Sequence, residues 1–343
     1  MKVETSKMVK EAALVISAGF IARTVIRRLL EYDFRNKVVL ITGGSRGLGL
    51  VLARELAKHG SRLAICARDE DELERARDDL RSRRAKVLTI RCDVTKQSQV
   101  DEMIARIRDY YGRIDVLVNN AGVIEVGPLE VMTIEDFHTA MDTHFWGPIY
   151  TTLAVLPEMQ RRRAGRIINI ASIGGKLSVP HLVPYCASKF ALVGFSQGLH
   201  AELLKDGIRV TTVCPGLMRT GSARNADFKG QHRAEYALFS LSAALPISSM
   251  KVQRAARQII AACKHGEAEV TLSIQAKVAA VFHGVFPGTT ADLLGLVNRF
   301  LPGPGGIGEH KAKGKDSSSF ISPSILTTLN DKAALRNNEV GVN

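Results

Sequence analysis

The sequence predicts an α/β fold, a doubly wound parallel sheet in a single domain that carries helical extensions at both ends. Two observations predict it. From Lys37 onward short apolar runs alternate with amphipathic stretches, and a glycine-rich turn joins the first run to the first helical stretch. Parallel strands need long crossovers, and helical crossovers cover both faces of the sheet. The runs Val38–Thr42, Arg62–Ala67, Lys86–Cys92, Val116–Asn119, Arg166–Ala171 and Arg209–Val213 are apolar almost throughout, as strands buried on both faces are.

The stretches between them have helical periodicity. Leu48–His59 and Asp71–Arg84 are two of these, and the acids and arginines of the second mark a solvated outer face. After Cys214 the rhythm changes. Leu217–Ile247 is polar and irregular, then apolar, and is expected to form a lid. Met250–Lys264 reads as a helix and Glu269–Thr271 as the last strand. Ile274–Leu301 is apolar at helical spacing and broken at Pro287 and Gly288, so two helices are expected, either packed or forming a membrane or subunit contact. These readings divide the chain into an apolar and basic helical extension (1–35), the α/β domain (36–272), an apolar helical extension (273–301) and a tail (302–343). The tail is rich in Gly, Pro, Lys and Ser and is expected to be largely disordered.

Within the first extension, Ala12–Ala22 is apolar and flanked by Lys7, Lys10, Arg23, Arg27 and Arg28. It falls short of the ~20 residues of a membrane span and lacks a small-residue cleavage site. Packing on the domain or lying in a membrane interface are the two expectations for it. The net charge of +13 raises the question of anionic partners. Its clusters, Arg81, Arg83 and Arg84 and then Arg161, Arg162 and Arg163, close helical stretches, where cations suit the helix dipole. No nucleic-acid-binding motif accompanies them, so no nucleic acid is expected as a partner. The cysteines Cys66, Cys92, Cys186, Cys214 and Cys263 are scattered, with no CxxC pair, which points away from a disulfide framework or a zinc site. A reducing cytoplasm suits them.

Thr42-Gly43-Gly44-Ser45-Arg46-Gly47-Leu48-Gly49 lies between the first strand and the first helix. Glycines there permit a tight turn and close approach of a pyrophosphate, whose charge meets the helix N-terminus. This is the dinucleotide-binding arrangement of a Rossmann fold. The second strand selects the nicotinamide. An acid at its end would bond the ribose and repel a 2′-phosphate, but Ala67 stands there, followed by Arg68, and Arg46 adds a guanidinium from the loop. NADP(H) is the cofactor expected, with Asp69 capping the next helix.

Tyr185-Cys186-Ala187-Ser188-Lys189 adds YxxxK to the TGxxxGxG loop, and together they resemble the classical short-chain dehydrogenase/reductases over roughly Asn36 to Thr271. Further motifs agree in order. Asn119-Asn120-Ala121-Gly122 is similar to the family's NNAG, and Asp93-Val94 to its adenine contact. Pro215-Gly216 is similar to the turn beside the nicotinamide, and Thr220 to its carboxamide-binding threonine. Ser172 lies 13 residues before Tyr185, where the family places its catalytic serine. The resemblance implies hydride transfer between nicotinamide and a carbonyl or alcohol carbon, in dimers or tetramers.

The chemistry explains the choice of side chains. Carbonyl reduction needs a proton for the developing alkoxide, and Tyr185 can supply it. An unperturbed phenol titrates at about 10. Lys189, four residues on, shares its helix face, and its charge is expected to lower that value. The resemblance also gives Lys189 to the nicotinamide ribose. Ser172 can bond and orient the carbonyl oxygen. One position departs from the family, because His144 stands where an asparagine usually holds the proton-relay water. Imidazole could carry the relay or be a structural histidine, and both readings stand. His181 lies between Ser172 and Tyr185 and either borders substrate or is merely solvated.

Within the reductase class, 3-oxoacyl thioesters and steroid-like or lipid ketones are both open as substrates. The apolar segments Ala237–Ile247 and Ile274–Leu301 favour a hydrophobic substrate, while the basic balance equally suits an acyl chain on an acidic carrier. An NADP-binding regulatory or scaffold protein is the alternative from another class.

Overall fold

The computed structural model describes residues 31–245, 248–318 and 328–340. The segment Ala12–Ala22 lies outside them. β1 (Val38–Thr42) runs through the glycine turn into α1 (Gly47–Lys58), followed by β2 (Arg62–Ala67), α2 (Glu70–Ser82), β3 (Lys86–Arg91), α3 (Gln97–Tyr111) and β4 (Val116–Asn119). Next come β5 (Glu125–Val126), α4 (Ile134–Met141), α5 (Gly147–Arg162), β6 (Gly165–Ile170), α6 (Val183–Leu203) and β7 (Ile208–Pro215). The remainder comprises β8 (Leu217–Arg219), β9 (Asp227–Phe228), α7 (His232–Ala244), β10 (Ser249–Lys251), α8 (Val252–Lys264), β11 (Glu269–Leu272), α9 (Ile274–Val285), α10 (Pro287–Asn298), β12 (Ala312–Lys313) and α11 (Thr328–Arg336).

Seven strands form the central sheet in the order β11-β7-β6-β4-β1-β2-β3, every neighbour parallel. Alternation along the strands splits the core. Val39, Ile41, Leu63, Ile65, Val116 and Val118 face one side, packed beneath α1, α2 and α8. Val38, Leu40, Ala64, Cys66 and Leu117 face the other, beneath α3 and α5. Period-two alternation between two covered faces is why the strands read as uninterrupted apolar runs. Fully burying one leucine such as Leu50, which has no exposed surface, contributes about 1.5–3 kcal/mol. The strand order reverses between β1 and β4, and that crevice at the strand C-termini is where such sheets bind ligands.

The doubly wound sheet is as the sequence predicts, with strand ends shifted by a residue or two. Two features differ, and a third bears on the helix pair expected at Ile274–Leu301. The lid segment is a folded subdomain, in which β8 pairs with β10 and the small sheet β12-β9-β5 supports α7. Beneath it Lys229 and Lys311 meet the carboxylates of Asp136 and Glu125. The tail is a correction. In its described residues, 302–318 and 328–340, it is ordered rather than disordered, placing β12 against β9 and docking α11 and Asn337–Glu339 on the domain, with Asn330, Ala334 and Asn337 buried. Specific hydrogen bonds to distant loops hold it, and composition does not report these. Finally, α9 and α10 meet at 120° with most of their apolar side chains exposed, among them Ile274, Val278, Val281, Val285, Leu293 and Leu296. No single helix among the described residues is long and apolar enough to cross a membrane.

Candidate active site

The glycine loop is built by packing before any ligand is considered. At Gly49 a Cβ would lie 2.1 Å from the Gly43 carbonyl oxygen, and at Gly43, where φ is +61°, it would lie 2.8 Å from Ala121 Cα. Both positions therefore exclude a side chain. The Thr42 hydroxyl accepts the amides of Asn120 and Ala121, each at 3.0 Å. The Asn120 amide group donates to the carbonyls of Thr42 and Gly43, again at 3.0 Å. Thr42, Asn120 and Ala121, expected as cofactor contacts, thus shape the loop through their own bonds. Leu48 is buried under it, and Gly122 leaves room for His144, since a Cβ there would lie 3.1 Å from Nε2.

The outward side of the loop suits an anion. The helix α1 itself carries no acid in its first turn, which begins at Gly47, although the Gly47 amide donates to the Asn337 carbonyl of the tail. Arg68 is exposed at the end of β2, on a cleft of about 540 Å³ lined also by Ile90, Arg91, Asp93 and Gln99. That volume lies within the range that small-molecule sites occupy. Asp93 caps its own turn by accepting the amide and hydroxyl of Thr95, at 3.0 and 2.9 Å. Val94 packs against Gly147. Glu72 is the residue that sequence reading missed. Its carboxylate takes the Arg46 guanidinium at 2.6 Å and the Ser45 hydroxyl at 2.9 Å, so of the two guanidiniums expected to meet a 2′-phosphate, Arg46 already has a partner. A signal was available, because Asp69 caps the Glu72 amide three residues on, the D-x-x-E pattern of a helix start. Across the crevice, Pro215 ends β7 beside Leu272, and Gly216 sits close to Ser273. The Thr220 hydroxyl donates to Ser222 at 2.8 Å.

The three candidate catalytic side chains converge at the C-terminal edge of the sheet. Ser172 follows β6 and accepts the Gly174 amide at 3.0 Å. Tyr185 and Lys189 lie one turn apart on α6, with the ammonium 5.7 Å from the centre of the phenol ring and bonded to the Ile170 carbonyl at 2.9 Å. The expected lowering of the tyrosine by the lysine is not what the structure gives. Burial pushes the Tyr185 phenol up to about 12, against which a hydrogen bond from Ser172 acts only partly. Burial likewise brings Lys189 down to about 7. Both shifts share one cause, since the closed surroundings disfavour either charge.

His144 sits in a π-turn, Asp142–Trp146, that joins α4 to α5 and turns the ring inward. Its Nε2 accepts the Val123 amide at 3.1 Å and its Nδ1 lies 2.8 Å from the Ser188 hydroxyl, which donates to the Tyr185 carbonyl at 2.7 Å. Burial, and then Lys189, hold the imidazole well below its ordinary range. An acceptor at Nε2 and a neutral ring leave the proton on Nδ1, so both ring nitrogens are engaged. The ring meets Tyr185 edge-on at 5.3 Å. His181 is buried rather than solvated and bonds Glu235 of α7 at 2.6 Å.

The chain is similar to known proteins of one family. The model of the short chain dehydrogenases matches residues 37–229. A candidate ketoacyl reductase of Streptomyces coelicolor is 40% identical over 190 residues, covering 55% of this chain and 73% of the relative. A variant of actinorhodin polyketide ketoreductase solved with NADPH superposes with a TM-score of 0.62 and 33% identity, over 70% of this chain and 95% of that one. L-sorbose reductase from Gluconobacter frateurii, complexed with NADPH and L-sorbose, superposes with a TM-score of 0.62 and 26% identity, over 71% and 97%. The glycine loop, the Ser172, Tyr185 and Lys189 cluster and these likenesses together place the chain in the short-chain dehydrogenase family, as an NAD(P)-dependent oxidoreductase.

Proposed function

We propose that this chain is an NADP(H)-dependent reductase of ketones with a hydrophobic or acyl body. The observation that carries the reading is the meeting of Ser172, Tyr185 and Lys189 at the sheet edge beside the glycine loop. Arg68 would hold the adenosine phosphate and Thr220 the carboxamide of a dinucleotide at that loop, whose nicotinamide would supply the hydride. Ser172 bonds the substrate carbonyl oxygen and fixes its direction. The Tyr185 phenol, kept protonated by burial, donates its proton to that oxygen as charge builds there. Lys189 stands one helical turn away and stabilises the phenolate left behind. NADPH in two of the similar structures supports the cofactor, and the polyketide ketoreductase supports an acyl substrate.

The test is NADPH consumption by the purified chain against ketones, aldehydes and 3-oxoacyl thioesters. Turnover should fall by roughly 10²–10⁴ in Tyr185→Phe while NADPH binding persists. Binding with no turnover on any carbonyl favours the regulatory reading instead.

A second reading concerns location. The exposed apolar faces of α9 and α10 favour contact with a membrane surface, for a chain otherwise at home in a reducing cytoplasm. Exposed Trp146, Leu153 and Phe190 on and beside α5 and α6 suit a homo-oligomer. Flotation with anionic liposomes separates the two, since a protein that stays at the bottom as an oligomer has no membrane role for α9 and α10.

A further inference from the structure

The most specific contacts of the tail are made with the phosphate loop. α11 seats on the lid, where Gly221, at φ +92°, would bring a Cβ within 2.3 Å of Ala334 Cα and where its amide donates to Asn330 Oδ1 at 3.1 Å. The three residues Asn337, Asn338 and Glu339 then enter the crevice. The Asn337 carbonyl accepts the Gly47 amide at 2.9 Å, and its side chain donates to the Thr220 carbonyl at 3.1 Å. Asn338, held by Arg75 at 2.8 Å, donates to the carbonyls of Ser45 and Glu72, at 2.9 and 3.0 Å. Glu339 is bound by Asn225 at 2.6 Å and lies 3.5 Å from the Arg46 guanidinium. Its Oε1 fills the space over Gly47, 2.6 Å from where a Cβ would stand.

The tail thus joins both walls of the crevice, the glycine loop on one side and Thr220 and Asn225 on the other, with Asn337 and Glu339 themselves buried. Its partners are those a dinucleotide needs. An amide donates one good hydrogen bond, and the open face of Gly47 holds one group. Cofactor phosphate and the Asn337–Glu339 segment therefore call on the same atoms.

We propose that the C-terminal segment Asn337–Glu339 is a built-in competitor of the dinucleotide, docked on the phosphate loop and displaced when the cofactor enters. The inference rests on assigning that loop to NADP(H). Docking lowers the fraction of competent sites, and the apparent Kd rises by the reciprocal of that fraction. The segment also couples cofactor entry to the lid, because release of Asn337 and Glu339 frees Thr220 and Asn225.

The test titrates NADPH into the full chain and into Asn337→Ala/Glu339→Ala, reading nicotinamide fluorescence, with amide exchange over residues 328–340 followed in parallel. The double variant should bind roughly three- to tenfold tighter, and saturating NADPH should raise exchange in the wild-type tail. Equal or weaker binding by the variant overturns the proposal. So does a tail that becomes better protected with NADPH, which would make it a strap closing over the cofactor. Failure of both proteins to bind NADPH or NADH overturns the assignment of the loop itself, and competition with it.

Discussion

The imidazole of His144 and the hydroxyl of Ser188 lie 2.8 Å apart, and through Ser188 the ring is tied to the carbonyl of Tyr185. On its other side the ring accepts the Val123 amide, next to the Asn120–Gly122 turn. His144 therefore links the helix that carries the phenol to the loop that carries the cofactor, with the ring neutral.

That arrangement predicts a positioning role. In His144→Asn a side-chain oxygen can still accept the Val123 amide, so kcat should stay within about threefold and the pH profile should keep its shape. His144→Leu leaves that amide unsatisfied and should lower stability by about 1–3 kcal/mol. Thermal unfolding and a kcat/KM profile over pH 5–9 check both. An inflection near neutral pH that the Asn variant abolishes would restore the relay.

The raised phenol predicts opposite behaviour in the two directions. With Tyr185 pushed up to about 12, the acid form needed for carbonyl reduction persists across the neutral range, so the phenol itself imposes no fall in kcat/KM for reduction between pH 6 and pH 9, and a fall as pH rises through about 7 reports loss of the Lys189 charge. Alcohol oxidation needs the phenolate as base. Its kcat/KM should climb with pH by up to tenfold per unit over the same range. A flat oxidation profile would remove Tyr185 as the base.

Arg68 is predicted to carry the choice between NADPH and NADH. Glu72 holds Arg46 at 2.6 Å, leaving Arg68 exposed on the adenosine cleft to meet a 2′-phosphate. A charge-assisted hydrogen bond contributes ~1.5–3 kcal/mol, so Arg68→Ala should reduce the ratio of kcat/KM for NADPH to that for NADH by roughly ten- to hundredfold. Glu72→Gln should shift the ratio the other way, because it frees the second guanidinium. An unchanged ratio in Arg68→Ala would mean that selectivity lies elsewhere.

These residues show what the sequence could carry. β1, β2 and β4 are legible to the residue because burial on both faces leaves an apolar run with sharp ends, and the glycine loop because its packing admits no side chain at Gly43 or Gly49. Ser172, Tyr185 and Lys189 are legible as a set through their resemblance to the family's motifs. Illegible were relationships across long sequence separation. Glu72 meets Arg46 from another helix, and nothing local in Asn337-Asn338-Glu339 announces a partner near Gly47. The two-residue strands β5, β9 and β12 are too short for any periodicity to register. The protonation of Tyr185 and Lys189 depends on burial, which residue type alone does not give.

Burial sets the last prediction too. Glu339 is pushed up to about 7 by loss of solvent, against which Arg46 and Asn225 act and which Glu72 reinforces. Arg75, on the same helix as Glu72, faces the segment through Asn338. The docked carboxyl therefore holds a proton between the usual carboxylate range and about pH 7, where a released tail would not. Docking is strongest below that window and weakens as pH rises through 7. Wild-type NADPH affinity should accordingly improve from pH 6 to pH 8, by up to roughly tenfold relative to Glu339→Gln. The Gln side chain imitates the protonated acid and should keep the tail docked at both values. Because the 2′-phosphate titrates alike in both proteins, comparing them isolates the tail. A ratio of affinities that does not move between pH 6 and pH 8 would show that Glu339 takes up no proton on docking.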